Sequence, residues 1–142
     1  MSGREFIDTN VLTYADDARN PRKRRRAREL IRELMMSRRG VVSLQVLQEF
    51  FAAATRMLGL SSEHARRRVG VYSRFDVVTF APADVLAAID LHRIHRFSIW
   101  DSLIVRAALN ANCATLHSED LSSGQRIESL AISNPFAVPH GN

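Results

Sequence analysis

The chain has 142 residues, 46% of them apolar and 25% charged, with a formal net charge of +5. That length suits one domain with its own core, and that apolar share excludes a disordered chain. No run of about 18 apolar residues is present to cross a membrane, and the single cysteine, Cys113, excludes an internal disulfide.

Asp8 comes too early to leave room for a signal peptide's apolar region. The expected setting is therefore cytoplasmic and reducing, with Cys113 a buried core thiol. Lys23 is the only lysine among 20 basic residues. Arginine suits phosphate and planar bidentate partners, so the charge balance points to a polyanion. An arginine excess set by genomic base composition is the alternative.

Residues 4–8 read as strand one. Phe6 and Ile7 are consecutive apolar residues, as in a parallel strand buried on both faces. Asn20-Pro21 is a helix start, with an N-cap and then proline at the first helical position. This helix runs to Ser37 on an apolar face of Ala27, Leu30, Ile31 and Leu34. Its first half carries Arg22, Lys23, Arg24, Arg25, Arg26 and Arg28. Cations there oppose the helix dipole, so a solvated face, an RNA contact or an acidic partner must explain them.

Residues 40–43 form a short strand that turns into a helix capped by Ser43. Its stripe is Val46, Leu47, Phe50, Ala53, Ala54 and Met57, with Glu49 at the edge. Gly59 closes it. A further helix spans 61–73, then a strand 77–80, and a helix from Pro82 to Ile94. Phe97 to Ser102 then lead into a helix read from Leu103 to Ala111, with Ser98-Ile99-Trp100-Asp101 matching a capping box. Residues 113–116 are the fourth strand, and 127–132 hold a last edge strand. The tail from Asn134 should fray, leaving residues 1–136 as the domain and 137–142 outside it. Alternating strands and helices mean α/β with a mainly parallel sheet.

Four carboxylates far apart in sequence fall at one edge of such a sheet. Asp8 and Asp120 lie just past strand ends. Asp101 is in the first turn of a helix, and Glu49 in the second turn of a helix that follows a strand. Right-handed crossovers place these positions together, at the edge where α/β sheets bind ligands. Converging carboxylates repel, and protons or metal ions must relieve this. An oxygen-only set suits magnesium or manganese rather than zinc. Such ions activate water and stabilise a leaving oxygen, which is the chemistry of phosphodiester hydrolysis. Each acid also has a plainer role. Asp101 completes a capping box with Ser98, Glu49 is a rim charge paired with Arg56 or another arginine, and Asp120 serves an Asx turn, with Glu119 beside it as a competing fourth acid.

In combination these segments resemble a PIN domain, and more closely the VapC-type toxins of toxin–antitoxin pairs. The matching pieces are Phe6-Ile7-Asp8-Thr9-Asn10-Val11-Leu12, Ser43 to Phe50, Ser98 to Ile104 and Leu116 to Leu121. Gly124-Gln125 and Ile132 to Phe136 look like one subgroup. The resemblance implies a PIN-like three-layer fold, with about five mainly parallel strands flanked by helices and an acidic site at their carboxyl ends. It implies an endoribonuclease that uses Mg2+ or Mn2+ and leaves 5′-phosphate and 3′-hydroxyl ends. Asp8 and Asp101 would be metal ligands, with Glu49 and Asp120 completing the pocket. Thr9 would support the site, Asn10 would brace the loop after strand one, and Ser102 would hold a bound water or sit on the helix surface. A homodimer and a neutralising antitoxin are the implied partners.

Three residues near the site are less defined by the resemblance. His117 could contact RNA. Trp100 and Phe97 could stack bases, but beside an apolar stripe core packing is expected of them. Two other readings compete with the nuclease. One is a PIN-like module that binds RNA or protein without cutting. The other is an acidic-site phosphatase, which Asn10, at the place of a second aspartate, and the lack of lysines beyond Lys23 speak against.

Overall fold

The structure, a computed structural model, describes residues 3–138. Its frame is one sheet of six strands in the order β3-β2-β1-β4-β6-β5. In chain order these are β1 (Glu5–Ile7), β2 (Gly40–Ser43), β3 (Asp76–Val78), β4 (Thr115–His117), β5 (Arg126–Ile127) and β6 (Leu130–Ser133). All pair in parallel except β5, which runs antiparallel to β6. The α/β class and mainly parallel sheet are as the sequence implies. The sheet has six strands rather than about five, because residues 127–132 are a hairpin and not one strand. Glu128 makes the turn at a positive φ of 55°.

Six helices flank the sheet: α1 (Thr9–Tyr14), α2 (Pro21–Ser37), α3 (Leu44–Arg56), α4 (Ser62–Tyr72), α5 (Pro82–His95) and α6 (Ile99–Asn110). Helix α1 escapes the sequence reading. It has only six residues and two buried apolar positions, Val11 and Leu12, too few for a period to show. So the chain after strand one is a helix and not a loop. Helix α3 starts where the sequence places it, capped by the Ser43 hydroxyl; α6 starts at Ile99, ahead of Leu103, because the Ser98 hydroxyl caps it there.

The core is continuous and centred on Phe6, Ile7, Val41, Phe50, Leu34 and Leu116, all fully buried. At β2, Gly40 is required by a close approach: a Cβ there would meet the Phe75 ring at 2.5 Å. The start of the expected frayed tail is instead anchored. Phe136 is buried and packs edge-on against Tyr14, with ring centroids 4.9 Å apart. The Arg22 and Arg26 guanidiniums donate to the carbonyls of Phe136 and Pro135. Apolar burial and these bonds offset the ordering entropy. Ala137 and Val138 are exposed, and residues 139–142 lie outside the described residues.

Asp17 fixes the turn between α1 and α2. Its buried carboxylate accepts from Arg19 Nε at 2.9 Å, Arg19 N at 3.0 Å and Asn20 Nδ2 at 2.9 Å. The Arg19 bond above all lowers its pKa from 3.8 to about 2. A depressed folded pKa stabilises the protein above the unfolded value, and the gain is lost as pH falls from about 4 through 2. Arg19 is two-thirds exposed, so solvent screening cuts the contribution to about 1–2 kcal/mol. Asp17→Asn should cost that much in urea unfolding at pH 7 and nothing near pH 2. An equal cost at both pH values would remove the ion pair as its cause.

Candidate active site

The sheet changes direction of growth at β1, whose neighbours are β2 on one side and β4 on the other. Ligands bind outside the strand ends at such a switch point. The register pairs Ile7 with His117, so the next residues, Asp8 and Ser118, emerge side by side. Asp8 caps α1, and its Oδ1 accepts from the Thr9 amide at 2.7 Å. Its Oδ2 accepts from Ser118 Oγ at 2.8 Å and from Asn10 Nδ2 at 3.4 Å.

Asp8 is 4% exposed. Burial raises its pKa from 3.8 to about 7, and the charges of Asp120 and Asp101 push the same way, against the Ser118 and Thr9 hydrogen bonds. Asp101 is half-buried in the first turn of α6, and its pKa is also raised, by burial first and then by Asp120 and Glu49. Thus Asp8, Asp101, Glu49 and Asp120 share one electrostatic neighbourhood. The Asp101 amide donates to Ser98 Oγ at 3.0 Å in the capping bond, and the Ser98 hydroxyl beside its carboxyl works against the upward shift.

Glu49 lies at the edge of the apolar face of α3, half-buried as its position in the stripe predicts. It is not paired with Arg56. Its Oε1 accepts from Thr9 Oγ1 at 2.8 Å and its Oε2 from Gln45 Nε2 at 3.0 Å. Asp120 is exposed, with Oδ2 accepting from Asn10 Nδ2 at 3.2 Å. Glu119 turns elsewhere, to Lys23 Nζ and to Tyr14 Oη at 2.7 Å. Burial raises its pKa, but Lys23 and Tyr14 outweigh that and hold its carboxyl below the usual range. Of the two neighbours, Asp120 is the acid that faces the others.

Asn10 is the hub rather than a brace for a loop. Its Nδ2 reaches Asp8, Asp120 and Ser118, while its Oδ1 accepts from the Glu119 amide at 3.1 Å. Ser118 has no role in the sequence reading, yet it is fully buried and bonds Asp8, Asn10 and the Asp120 amide. The only signal was a hydroxyl two residues before a strand-end aspartate, a common turn pattern. Gln45 is a second such residue, linking Glu49 to the Trp100 carbonyl.

Three expectations are corrected. Ser102 is fully buried and donates to the Ser98 carbonyl at 2.9 Å. It is not on the helix surface. His117 is buried and bonds Glu5 at 2.6 Å, closed to RNA. Trp100 is 63% exposed instead of packed in the core, because α6 turns its first residues outward while Ile104 and Val105 fill the interior. Phe97 stays partly buried, stacked on His95.

The donor set is all oxygen, which fits a hard divalent cation. A buried carboxylate with a pKa near 7 and three acids around it calls for positive charge. Yet no three His, Cys, Asp or Glu among the described residues converge tightly enough to hold an ion as they stand. The Asn10 amide sits between Asp8 and Asp120, and Thr9 and Gln45 draw Glu49 aside. A cation would have to pull these side chains inward.

A family model of the PIN domain matches residues 6–122. This chain belongs to the PIN domain family, an α/β fold with a mostly parallel central sheet flanked by helices. Solved structures agree on the fold. A toxin–antitoxin complex from Klebsiella pneumoniae superposes at TM-score 0.67 and 15% identity, over 94% of this chain and 99% of that one. VapBC2 from Rickettsia felis, bound to a DNA fragment from its promoter, gives 0.66 and 19%, over 92% and 97%. VapC20 from Mycobacterium tuberculosis, a toxin that cleaves the sarcin–ricin loop, gives 0.59 and 16%, over 79% and 86%. No curated protein matches the sequence.

Proposed function

We propose that this protein is a metal-dependent endoribonuclease and the toxin of a toxin–antitoxin pair. The observation that carries the reading is Asp8. It is a buried carboxylate raised to about 7, at the switch point of a PIN sheet, with Asp101, Glu49 and Asp120 around it. The similarity to toxin structures supports the biological role.

Asp8 and Asp101 would hold Mg2+ or Mn2+, with Glu49 and Asp120 completing the shell directly or through water. The bound cation supplies a lowered pKa for water and charge neutralisation at the scissile phosphate. The protein's own groups do the positioning. Ser118 and the Thr9 amide lock the rotamer of Asp8, the Thr9 hydroxyl holds Glu49 until a cation draws it in, and Asn10 ties Asp120 to α1. Hydrolysis by activated water leaves a 5′-phosphate and a 3′-hydroxyl. The test is cleavage of total RNA with Mg2+ or Mn2+ against chelator. Metal-independent cleavage, or none, would favour a binding module instead.

Trp100 stands at the rim, one residue before Asp101, with its carbonyl tied through Gln45 to Glu49. An exposed indole there is a stacking platform for a base beside the cut, worth about 1–3 kcal/mol. Trp100→Ala should therefore raise KM about tenfold and leave the fold intact. An unchanged KM would leave the indole without a substrate role.

The proposed partners are a cognate antitoxin and a second copy of the chain. No helix among the described residues is long and apolar enough to cross a membrane, and a cytoplasmic location is part of the proposal.

A further inference from the structure

The basic cluster on α2 splits into two sets with different work. Four of its members are used inside the molecule. Arg22 and Arg26 hold the Phe136 and Pro135 carbonyls, Lys23 holds Glu119, and Arg28 donates to the Ala15 carbonyl at 2.7 Å. Arg24, Arg25 and Arg32 make no salt bridge with any acid among the described residues. At ~100° per residue, Arg24, Arg28, Arg32 and Arg25 fall within about 100° of arc. That arc lies opposite the buried Ala27, Leu30 and Leu34.

These four arginines line one surface groove with Pro21 and Glu29. That groove and the acidic cleft are linked by consecutive residues at the start of α2: the cleft is lined by Asn10, Glu49, Glu119 and Asp120 together with Arg19 and Asn20, and Pro21, the next residue, lines the groove. The arginine row is about 12 Å long at ~1.5 Å per residue, room for roughly three phosphates at the ~3.4 Å rise of one strand. Arg24 and Arg25, near the helix N-terminus, oppose the dipole, so folding alone does not favour them.

We propose that Arg24, Arg25 and Arg32, with Arg28 beside them, form a track for the phosphate backbone of the RNA strand that leaves the acidic cleft. This rests on the ribonuclease reading. It separates recruitment from chemistry: the acids cut, and the track holds the flank. Arginine forks bind phosphate oxygens without reading bases. The track therefore supplies affinity and salt dependence, not sequence choice.

The test uses Asp8→Asn as the background, so that binding is read without cleavage and stands or falls apart from the nuclease assignment. Fluorescein-labelled uridine 20-mer and 4-mer are titrated by anisotropy at several salt concentrations. Arg24→Gln/Arg25→Gln/Arg32→Gln is compared with a control of equal charge, Arg66→Gln/Arg74→Gln/Arg126→Gln. The track variant should bind the 20-mer about tenfold or more weakly at low salt, with a log–log salt slope shallower by about 2–3. Its 4-mer binding should not change, and its melting temperature should not fall. Equal losses in both variants would reduce the effect to net charge and overturn the track. Unchanged RNA binding, with loss of affinity for polyglutamate in the track variant alone, would assign the groove to an acidic protein segment and also overturn it.

Discussion

Asp8→Asn should end RNA cleavage and at the same time make the metal-free protein more stable. The first effect follows from the proposed role of Asp8 as central metal ligand. A loss of about a thousandfold corresponds to some 4 kcal/mol of transition-state stabilisation. The second follows from burial. The folded pKa of Asp8 is about 7 and its ordinary value 3.8. An acid whose pKa is raised on folding costs nothing below the lower value, where both states are protonated. The penalty grows between about pH 4 and 7 and is complete above 7.

A shift of some three pK units is about 4 kcal/mol at most. The amide that replaces it cannot accept as well from Ser118 and Asn10, so a net gain of about 2 kcal/mol is expected. Urea unfolding of both proteins in chelator, from pH 4 to 8, reads this directly. The curves should coincide or favour wild type near pH 4 and diverge toward pH 8. Added Mg2+ should then raise the stability of wild type alone, by linkage to the bound state. If the mutant were the less stable protein at pH 8, the carboxylate would not be a strained anion.

Phe50→Ala should be the most damaging single substitution for the fold near the site. Phe50 is fully buried and packs edge-on against Tyr72, ring centroids 5.2 Å apart. Tyr72 in turn bonds Arg68, and Arg68 bonds Asp16 at the end of α1. The truncation opens a cavity where α3 meets α4, at a cost of about 3–5 kcal/mol. For a domain of this size that lowers Tm by roughly 10–20 °C. Glu49 is the next residue on the helix, so its aim at the cleft should loosen as well. Glu49→Gln is the counterpart. It keeps the volume and hydrogen-bonding reach of the side chain, so stability should change little while cleavage is lost. A denaturation midpoint for Phe50→Ala within about 1 kcal/mol of wild type would mean that α3 is held from elsewhere.

Much of this was readable because the signals are local or periodic. Phe6 and Ile7 before Asp8, the Asn20-Pro21 start, the Ser43 and Ser98 caps and the apolar stripe of α3 each depend on neighbours within a few residues. The half-buried state of Glu49 followed from its angle on that stripe. The expectation that the four acids lie at one sheet edge followed from the handedness of strand–helix–strand crossovers, which holds whatever the side chains are; in the structure they feel one another's charge without closing on a single point.

What stayed hidden depends on residues far apart in sequence. Ser118 meets Asp8 across 110 residues, and a lone strand-end serine carries no mark of its partner. Asn10 becomes a hub only when β4 lies beside β1. The anchoring of Phe136 needs Tyr14 and two arginines of α2, and composition alone made that segment look free. Trp100 and Ser102 were misplaced for one reason: near a helix start, a step of two residues turns a side chain by about 200°, and only packing shows which is buried. The sequence by itself determined the α/β class and the α2 to α6 helices, and it supplied the acids proposed for the site, since backbone handedness, capping and periodicity act at short range. Tertiary structure alone decided that Glu119 pairs with Lys23 while Asp120 shares the charge neighbourhood of Asp8 and Asp101, and which arginines of α2 make no salt bridge among the described residues, because charges choose partners through space rather than along the chain.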